Sequence, residues 1–332
     1  MSRERVYQLL REQAGTFVSG QELSGLLGIS RAAVWKAIDS LRRDGYTIEA
    51  RTGLGYRLTA APDALAEREI RRFLTADCPD LRCLAEIDST NSYLKREALA
   101  GAPHGTAATA ECQTAGRGRM TRGFRSPAGR GVYLSVLLRP QLPPEALLGV
   151  TGMTAVAVCA AVERVCGVRP GLKWPNDPVL NGKKLCGILT EMSLEAETGR
   201  VQSLVLGIGV NVGQGPEDFS PEVREVAASL LQALGRPVSR PKLAAALLEE
   251  LDRAYAALLA GDLSEYLAAY RRDCVNLGKT VQLIPFGGGE RETAQAVDVD
   301  EEFSLVVRGA DGKERTVRSG EVSVRGLWGY TE

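Results

Sequence analysis

The sequence predicts a multidomain α+β protein, and three changes of pattern along the chain predict it. Residues 1–60 carry three short helical periodicities followed by two strand-like runs. From 65 to 273, β-rich runs and helical patterns mix without the strict alternation that a doubly wound sheet needs. From 275 to 332, short strand patterns alternate with turn residues. A chain of 332 residues has room for two or three such domains, with cores large enough to need no disulfide staple.

In the first segment Val6, Leu9 and Leu10 have helical spacing. Ser19 opens a second helix as its N-cap, with Glu22 at the third helical position and Leu23, Leu26 and Leu27 following. Gly28 allows a sharp turn and Ile29 plugs the corner. Ser30 then caps a third helix whose apolar face is Ala33, Val34, Ala37, Ile38 and Leu41, ended by Asp44-Gly45. Tyr46–Ala50 and Tyr56–Thr59 form a hairpin around Gly53-Leu54-Gly55. This order is that of a winged helix-turn-helix. Ser30, Arg31, Trp35 and Lys36 lie at the start of the recognition helix, where side chains can reach a major groove. Arg42, Arg43, Arg51 and Arg57 can meet phosphates. A protein-interaction module with a solvated charged face is the alternative for this segment.

Ala60–Ala64 is a linker. In the middle segment Val132–Leu138, Gly187–Glu191 and Leu204–Val212 are β-rich. Ala146–Val165 is apolar nearly all round, which predicts a buried helix. Pro221–Leu234 and Pro241–Leu259 are helices with Pro in the first turn. In the last segment Thr280–Ile284, Thr293–Val299, Ser304–Arg308 and Glu314–Arg318 are short strands, with Gly287-Gly288-Gly289 and Asp311-Gly312 as turns. A small SH3-like β-barrel fits.

Composition narrows the function classes. With 41 basic and 41 acidic residues, bulk charge gives no reason to expect a polyanion partner. Seven scattered cysteines, no Cys-x-x-Cys and a single histidine, His104, argue against a zinc site or a disulfide framework, so no metal ligand set is expected from the protein. His104 sits in a Pro-His-Gly turn, which leaves no basis for histidine acid–base chemistry. The longest apolar stretch, around Ala155–Val162, is too short to span a bilayer, and no signal segment opens the chain. A cytoplasmic protein without a membrane partner is expected.

Five motifs can carry chemistry. Gln113-Thr114-Ala115-Gly116-Arg117-Gly118-Arg119 interleaves glycines with guanidinium forks, which suits close approach to a carboxylate or phosphate; a mobile basic loop has the same composition. Lys173-Trp174-Pro175-Asn176-Asp177 is turn chemistry that would end a strand and aim Lys173 into a site. Lys183-Lys184-Leu185-Cys186-Gly187-Ile188-Leu189 runs a charged pair into an apolar strand, with Gly187 marking close approach or the pair simply solvated. Gly207-Ile208-Gly209-Val210-Asn211 places an amide inside an apolar strand, for a ligand or for a neighbouring loop. In Glu86-Ile87-Asp88-Ser89-Thr90-Asn91 the hydroxyls and amide suit a neutral polar ring, and they equally suit helix capping.

Together and in this order, the five motifs resemble the biotin–protein ligase family, of the bifunctional ligase and biotin-operon-repressor type. The run Ser319–Gly326 also looks like that family's C-terminal domain, so the resemblance covers nearly the whole chain. It implies a winged helix at 1–60, a catalytic core of the class II synthetase and biotin/lipoate ligase type at 65–273, and an SH3-like domain at 275–332. By the same resemblance Ser89, Thr90, Asn91 and Gln113 hold the biotin ring system. Gly116, Arg117, Gly118 and Arg119 close over biotin and the adenylate, and Gly187 adjoins the biotin. Lys184 meets the reacting carboxylate and phosphate, Lys173 and Asn211 lie near the nucleotide phosphates and metal, and Asn176 is among the residues that bind ATP or the adenylate. Arg325 reaches over the site from the C-terminal domain. A tryptophan that covers adenine in some members is matched here by Phe124. Lys184, Arg119 and Lys173 are the implied catalytic cations.

The implied reaction joins two anions, so the site must cancel their repulsion. ATP and biotin enter with Mg²⁺ on the nucleotide, the biotin carboxylate attacks the α-phosphate, and a carrier lysine then displaces AMP. The implied partners are a biotin carboxyl carrier protein, operator DNA and a second copy of the chain. A small-molecule-sensing transcription factor without ligase activity and a lipoate ligase are the competing readings.

Overall fold

In the computed structural model, residues 2–75, 78, 80–119, 122–286, 290–320, 322–326, 330 and 331 are described. Met120, the Gly287-Gly288-Gly289 turn and Glu321 lie outside the described residues. The chain divides into two units, Met1–Asp63 and Ala64–Glu332.

In the first unit, helices α1 (Ser2–Glu12), α2 (Gly20–Leu27) and α3 (Arg31–Arg43) precede strands β1 (Thr47–Arg51) and β2 (Gly55–Ala60). The Ser19 and Ser30 hydroxyls accept the N–H groups of Glu22 and Ala33 at 3.0 and 3.2 Å, which caps α2 and α3. Val18 bridges Tyr56 beside the hairpin. A Cβ on Gly55 would lie 2.1 Å from the Val18 carbonyl oxygen, so only glycine fits there. Val6, Leu10, Leu23, Val34, Ile38 and Leu41 fill the core. Arg31, Trp35 and Lys36 are exposed on α3. The four arginines expected to meet phosphates each have a local partner within the unit. Arg42 forks onto the Ile48 carbonyl at 3.0 and 2.6 Å, and Arg43 pairs with Asp39 at 2.9 Å. Arg57 pairs with Glu49 at 2.7 Å, and Arg51 and Arg57 both lie over the Phe17 ring.

The second unit opens with α4 (Glu67–Arg71), β3 (Leu81–Ile87), α5 (Thr90–Leu99), β4 (Ala107–Gln113), β5 (Gly131–Leu138) and α6 (Val150–Cys166). It continues with β6 (Gly171–Lys173), β7 (Asp177–Leu180), β8 (Lys183–Lys184), β9 (Cys186–Leu194), β10 (Val201–Asn211), α7 (Pro221–Arg224), α8 (Leu230–Leu234), α9 (Arg240–Ala260) and α10 (Ser264–Asp273). The main sheet has the order β3-β4-β5-β10-β9. Within it β3 and β4 pair in parallel, and α5 is the crossover that a parallel pair requires. β5 is buried along its whole length because both its faces are covered. Val132, Leu134, Val136 and Leu138 pack into the cluster with α6 and α9, while Leu137 joins Leu94 of α5 on the other face. The apolar character of α6 on all sides follows from its place in this core. Its composition would also suit a membrane span, but most of it is buried inside the unit.

Two expectations are corrected here. The helix expected over Pro221–Leu234 is broken into α7 and α8. Between them, Val226 O accepts from Lys184 N at 2.8 Å and Ala228 N donates to Lys184 O at 3.0 Å, so the intervening backbone serves a strand, and Ser229 with Gln232 caps a new helix. The lysine pair does not run into β9 but forms its own short strand in a second sheet, β6-β7-β8.

β11 (Thr280–Pro285), β12 (Glu292–Val299), β13 (Leu305–Arg308), β14 (Glu314–Val317) and β15 (Val322–Gly326) end the chain. They pair as an open antiparallel ladder, β14-β13-β12-β11-β15. Phe303, at the turn before β13, has φ 61°. Its ring fills a notch in α6 and its approach, where a Cβ on Gly149 or Gly152 would lie 2.8 or 2.4 Å from ring atoms. The Trp174 indole N–H donates to the Phe303 carbonyl at 2.9 Å, and the Trp174 backbone N–H donates to Asn276 Oδ1 at 2.8 Å. Tyr270 donates to the Pro175 carbonyl at 2.9 Å. The turn after β6 is therefore held from the C-terminal part of the chain.

Candidate active site

On the α5 face of the main sheet, Gly207 lies opposite Ser135 and Leu189, and Gly209 opposite Tyr133 and Gly187. These glycines make the floor of a cavity. A Cβ on Gly207 would lie 2.0 Å from Asn91 Oδ1, and one on Gly209 2.6 Å from the Phe124 ring. The Phe124 ring rests against Gly209 and Gly187 and meets Tyr133 edge-on at 6.3 Å.

At one end the cavity is polar but nearly neutral. Ser89 caps α5. The Thr90 N–H donates to Gln113 Oε1 at 2.8 Å, and Gln113 Nε2 donates to Ser126 Oγ at 2.7 Å. Ser135 Oγ lies 2.7 Å from Thr90 Oγ1 and 2.6 Å from Asn91 Oδ1. Asn91 Nδ2 donates to the Glu191 carboxylate at 3.0 Å. Capping and pocket-lining thus coexist in the Ser89-Thr90-Asn91 stretch.

The glycine–arginine loop folds back on itself. Gly118 N donates to Arg122 O at 2.7 Å and Phe124 N to Gly116 O at 2.8 Å. A Cβ on Gly116 would lie 2.2 Å from the Phe124 carbonyl oxygen, so the fold-back needs glycine. Arg117 reaches Glu191 at 3.1 Å, beside Lys95 at 2.9 Å. Burial would raise the Glu191 pKa, but Lys95, Asn91 and Arg117 outweigh it and hold the carboxyl below its ordinary value. Arg119 donates to Asn176 Oδ1 at 3.0 Å and Ser319 Oγ at 3.3 Å, and burial lowers its pKa.

The other end is cationic. Lys173 ends β6, buried, with its ammonium 4.1 Å from the centre of the Tyr330 ring, and burial pulls its pKa down to about 8. Lys184 pairs with Asp177 at 2.5 Å, and Tyr330 donates its hydroxyl to the other Asp177 oxygen. Burial would raise Asp177, but Lys184, Tyr330 and Lys173 together keep its carboxyl below the usual range. Asn176 donates to Ile188 O at 2.9 Å. Asn211 has its amide taken up by Ala228 O and Gln214 Nε2, the neighbouring-loop alternative for this residue.

All the residues expected to touch biotin or nucleotide line this one cavity of about 1530 Å³: Ser89, Thr90, Asn91, Gln113, Gly116, Arg117, Gly118, Arg119, Phe124, Lys173, Asn176, Lys184, Gly187, Asn211 and Arg325. Among the described residues its lining holds eight lysines and arginines against two carboxylates, Asp177 and Glu222. Ser30, Arg31, Trp35 and Lys36 belong to the other unit. Among the described residues no group of three or more His, Cys, Asp or Glu can hold a metal ion. A Mg²⁺ here would fit only as a companion of nucleotide phosphates, which is how this ion commonly binds. His104 lies outside the cavity, stacked on Tyr255 at 4.8 Å.

Sequence reasoning missed Ser126, Ser135, Glu191 and Tyr330, and gave Asp177 no role. Ser135 carried a signal, a hydroxyl inside the apolar run Val132–Leu138, as did Glu191, an acid ending Gly187–Glu191. Tyr330 carried none.

A helix-turn-helix unit followed by an α+β unit with a sheet-floored, cation-rich cavity is matched by family models as a ligase of the biotin/lipoate class with an HTH front domain. The model of the Biotin/lipoate A/B protein ligase family matches residues 83–211, and an HTH domain model matches 2–57. The bifunctional ligase/repressor BirA of Bacillus subtilis is 43% identical over 240 residues, 72% of this chain and 73% of that protein. The Escherichia coli bifunctional ligase/repressor BirA is 32% identical over 312 residues, 94% of each chain. The biotin protein ligase of Aquifex aeolicus, solved in complex with biotin and ATP, superposes with TM-score 0.63 at 28% identity, covering 75% of this chain and 99% of that one. The chain belongs to the biotin–protein ligase family.

Proposed function

We propose that this chain activates biotin with ATP to biotinyl-5'-AMP, transfers biotin to a specific lysine of a biotin carboxyl carrier protein, and acts as a biotin-responsive repressor. One observation carries the reading: a neutral hydrogen-bonding niche and a cationic end share a single cavity. The niche of Ser89, Thr90, Asn91 and Gln113, backed by Ser135, suits a ureido ring, which offers N–H donors and a carbonyl acceptor without charge. Lys184, Lys173, Arg119 and Arg117 suit the carboxylate and triphosphate that must approach each other. Their work is to lower repulsion as the carboxylate oxygen attacks the α-phosphate and pyrophosphate leaves.

The acyl-adenylate is prone to hydrolysis, and the loop at Gly116–Arg119 folds over it to exclude water. The carrier lysine then attacks the acyl carbonyl and AMP departs, so no enzyme nucleophile is needed. Mg²⁺ accompanies ATP and shields its phosphates when bound. Residues 65–273 form the catalytic core and 275–332 the C-terminal domain in this reading, and 1–60 the operator-binding domain, with Ser30, Arg31, Trp35 and Lys36 at its groove-facing end. The protein works in the cytoplasm, and biotin with ATP promotes a homodimer on a two-fold operator. The test is an assay with purified protein, biotin, Mg²⁺-ATP and a carrier domain. An unmodified carrier removes the ligase reading, and lipoate outcompeting biotin replaces it.

A further inference from the structure

Tyr330 lies outside every stretch that the sequence singles out, yet it touches both charged residues that flank the Trp174-Pro175 turn. Its ring stands 4.1 Å from Lys173 Nζ, and its hydroxyl donates to Asp177 Oδ2. The next residue, Thr331, is buried, and its carbonyl accepts from Lys279 Nζ at 3.2 Å, so the segment is anchored. Tyr330 also lines the cavity.

We propose that Tyr330 is a positioning residue for the polyphosphate end of the site: it keeps Asp177 committed to Lys184 and so leaves the Lys173 ammonium turned to the ligand. The inference rests on the cavity being an ATP site. An aromatic face stabilises a cation without consuming its N–H donors. Among the described residues no oxygen accepts from Lys173, so those donors remain for a phosphate. Asp177 is the carboxylate that would otherwise capture them, and its two oxygens are taken by Lys184 and by the phenol. Burial beside Asp177 pushes the phenol pKa far above its ordinary value, so Tyr330 stays a donor throughout the working range. Without that hydroxyl, one Asp177 oxygen loses its partner, and Lys173, the register partner of Asp177 across β6 and β7, is the cation it can turn to. Among the described residues the other charges that act on Lys173, namely Lys184, Arg325 and Arg119, are positive and favour that collapse.

The test is Tyr330→Phe in the full chain, which removes one oxygen and keeps the ring. The expected result is a rise of about tenfold in KM for ATP, the scale of one hydrogen bond to a charged group, with KM for biotin and the melting temperature unchanged. A second readout needs no ligase activity: acylation of Lys173 by a small amine-reactive ester, followed by peptide mass spectrometry across pH without substrates. The parent should label with a midpoint near pH 8, and the variant at higher pH because Asp177 now holds the proton on Lys173. An unchanged KM for ATP with an unchanged midpoint overturns the proposal. So does a parallel rise in both KM values with a lower melting temperature, which marks mere packing. If the parent forms no adenylate, the ATP reading falls while the labelling midpoint still decides the role of Tyr330.

Discussion

Replacing Gly207 by alanine is the sharpest probe of how the cavity floor is built. The new methyl would lie 2.0 Å from Asn91 Oδ1 and 2.7 Å from its Cγ. β10 cannot yield, because Gly207 is paired on both sides, with Ser135 and with Leu189. Asn91 must move, and it is buried and tied to Ser135 Oγ at 2.6 Å and Glu191 at 3.0 Å. Overpacking in a rigid core costs about 1–3 kcal/mol, and each buried partner left without its hydrogen bond costs a similar amount. If about 2–4 kcal/mol of this falls on the ligand-bound geometry, biotin affinity drops by roughly 30-fold or more. Isothermal titration with biotin measures it, with a thermal melt to apportion the cost to folding. The double variant Asn91→Ala/Gly207→Ala should bind no worse than Asn91→Ala alone, since the smaller side chain makes room for the methyl. If Gly207→Ala binds biotin within about twofold of the parent, the floor is not where the ligand is read.

Lys184→Ala should slow ATP–pyrophosphate exchange by roughly 100-fold or more and weaken biotin binding through the lost contact to its carboxylate; exchange at the parental rate would remove Lys184 from the reaction. Glu191→Gln weakens the charged tie to Arg117, so labelled biotinyl-adenylate should escape from the protein about tenfold faster, and an unaltered off-rate would show that the tie does not hold the loop. In the first unit Trp35→Ala should abolish operator binding with little change in melting temperature, because the side chain is 55% exposed, whereas Ser30→Ala should destabilise the unit by about 1 kcal/mol through loss of its cap. Retained gel-shift affinity in Trp35→Ala would take Trp35 out of the interface.

Much of this was legible before the fold was known, because it depends on local rules. Ser19, Gly28 and Ser30 mark helix ends by their own chemistry, and the all-round apolar composition of α6 announces its burial. The cavity residues were reached through the resemblance of the motif set rather than from any single motif. What escaped was set by long-range pairing. The break between α7 and α8 depends on Lys184 lying alongside Ala227, and nothing in Pro221–Leu234 encodes that neighbour. The ties of Arg57 to Glu49 and to the Phe17 ring were likewise out of reach, because those partners come together only when the hairpin folds. Tyr330 reaches Asp177 across 153 positions of chain.

The seat of Phe303 bears on how the protein can be cut. Ending the chain at 273 would strip the indole N–H of Trp174 of its acceptor and its backbone N–H of Asn276, and would leave Gly149 and Gly152 facing a hole the size of a benzene ring. An excised core should therefore emerge loosened around Lys173 and Asn176 even though the five motifs between Glu86 and Asn211 are present in it. Anyone trimming this enzyme to a minimal ligase should keep the turn before β13, and grafting that turn alone is a sensible first repair.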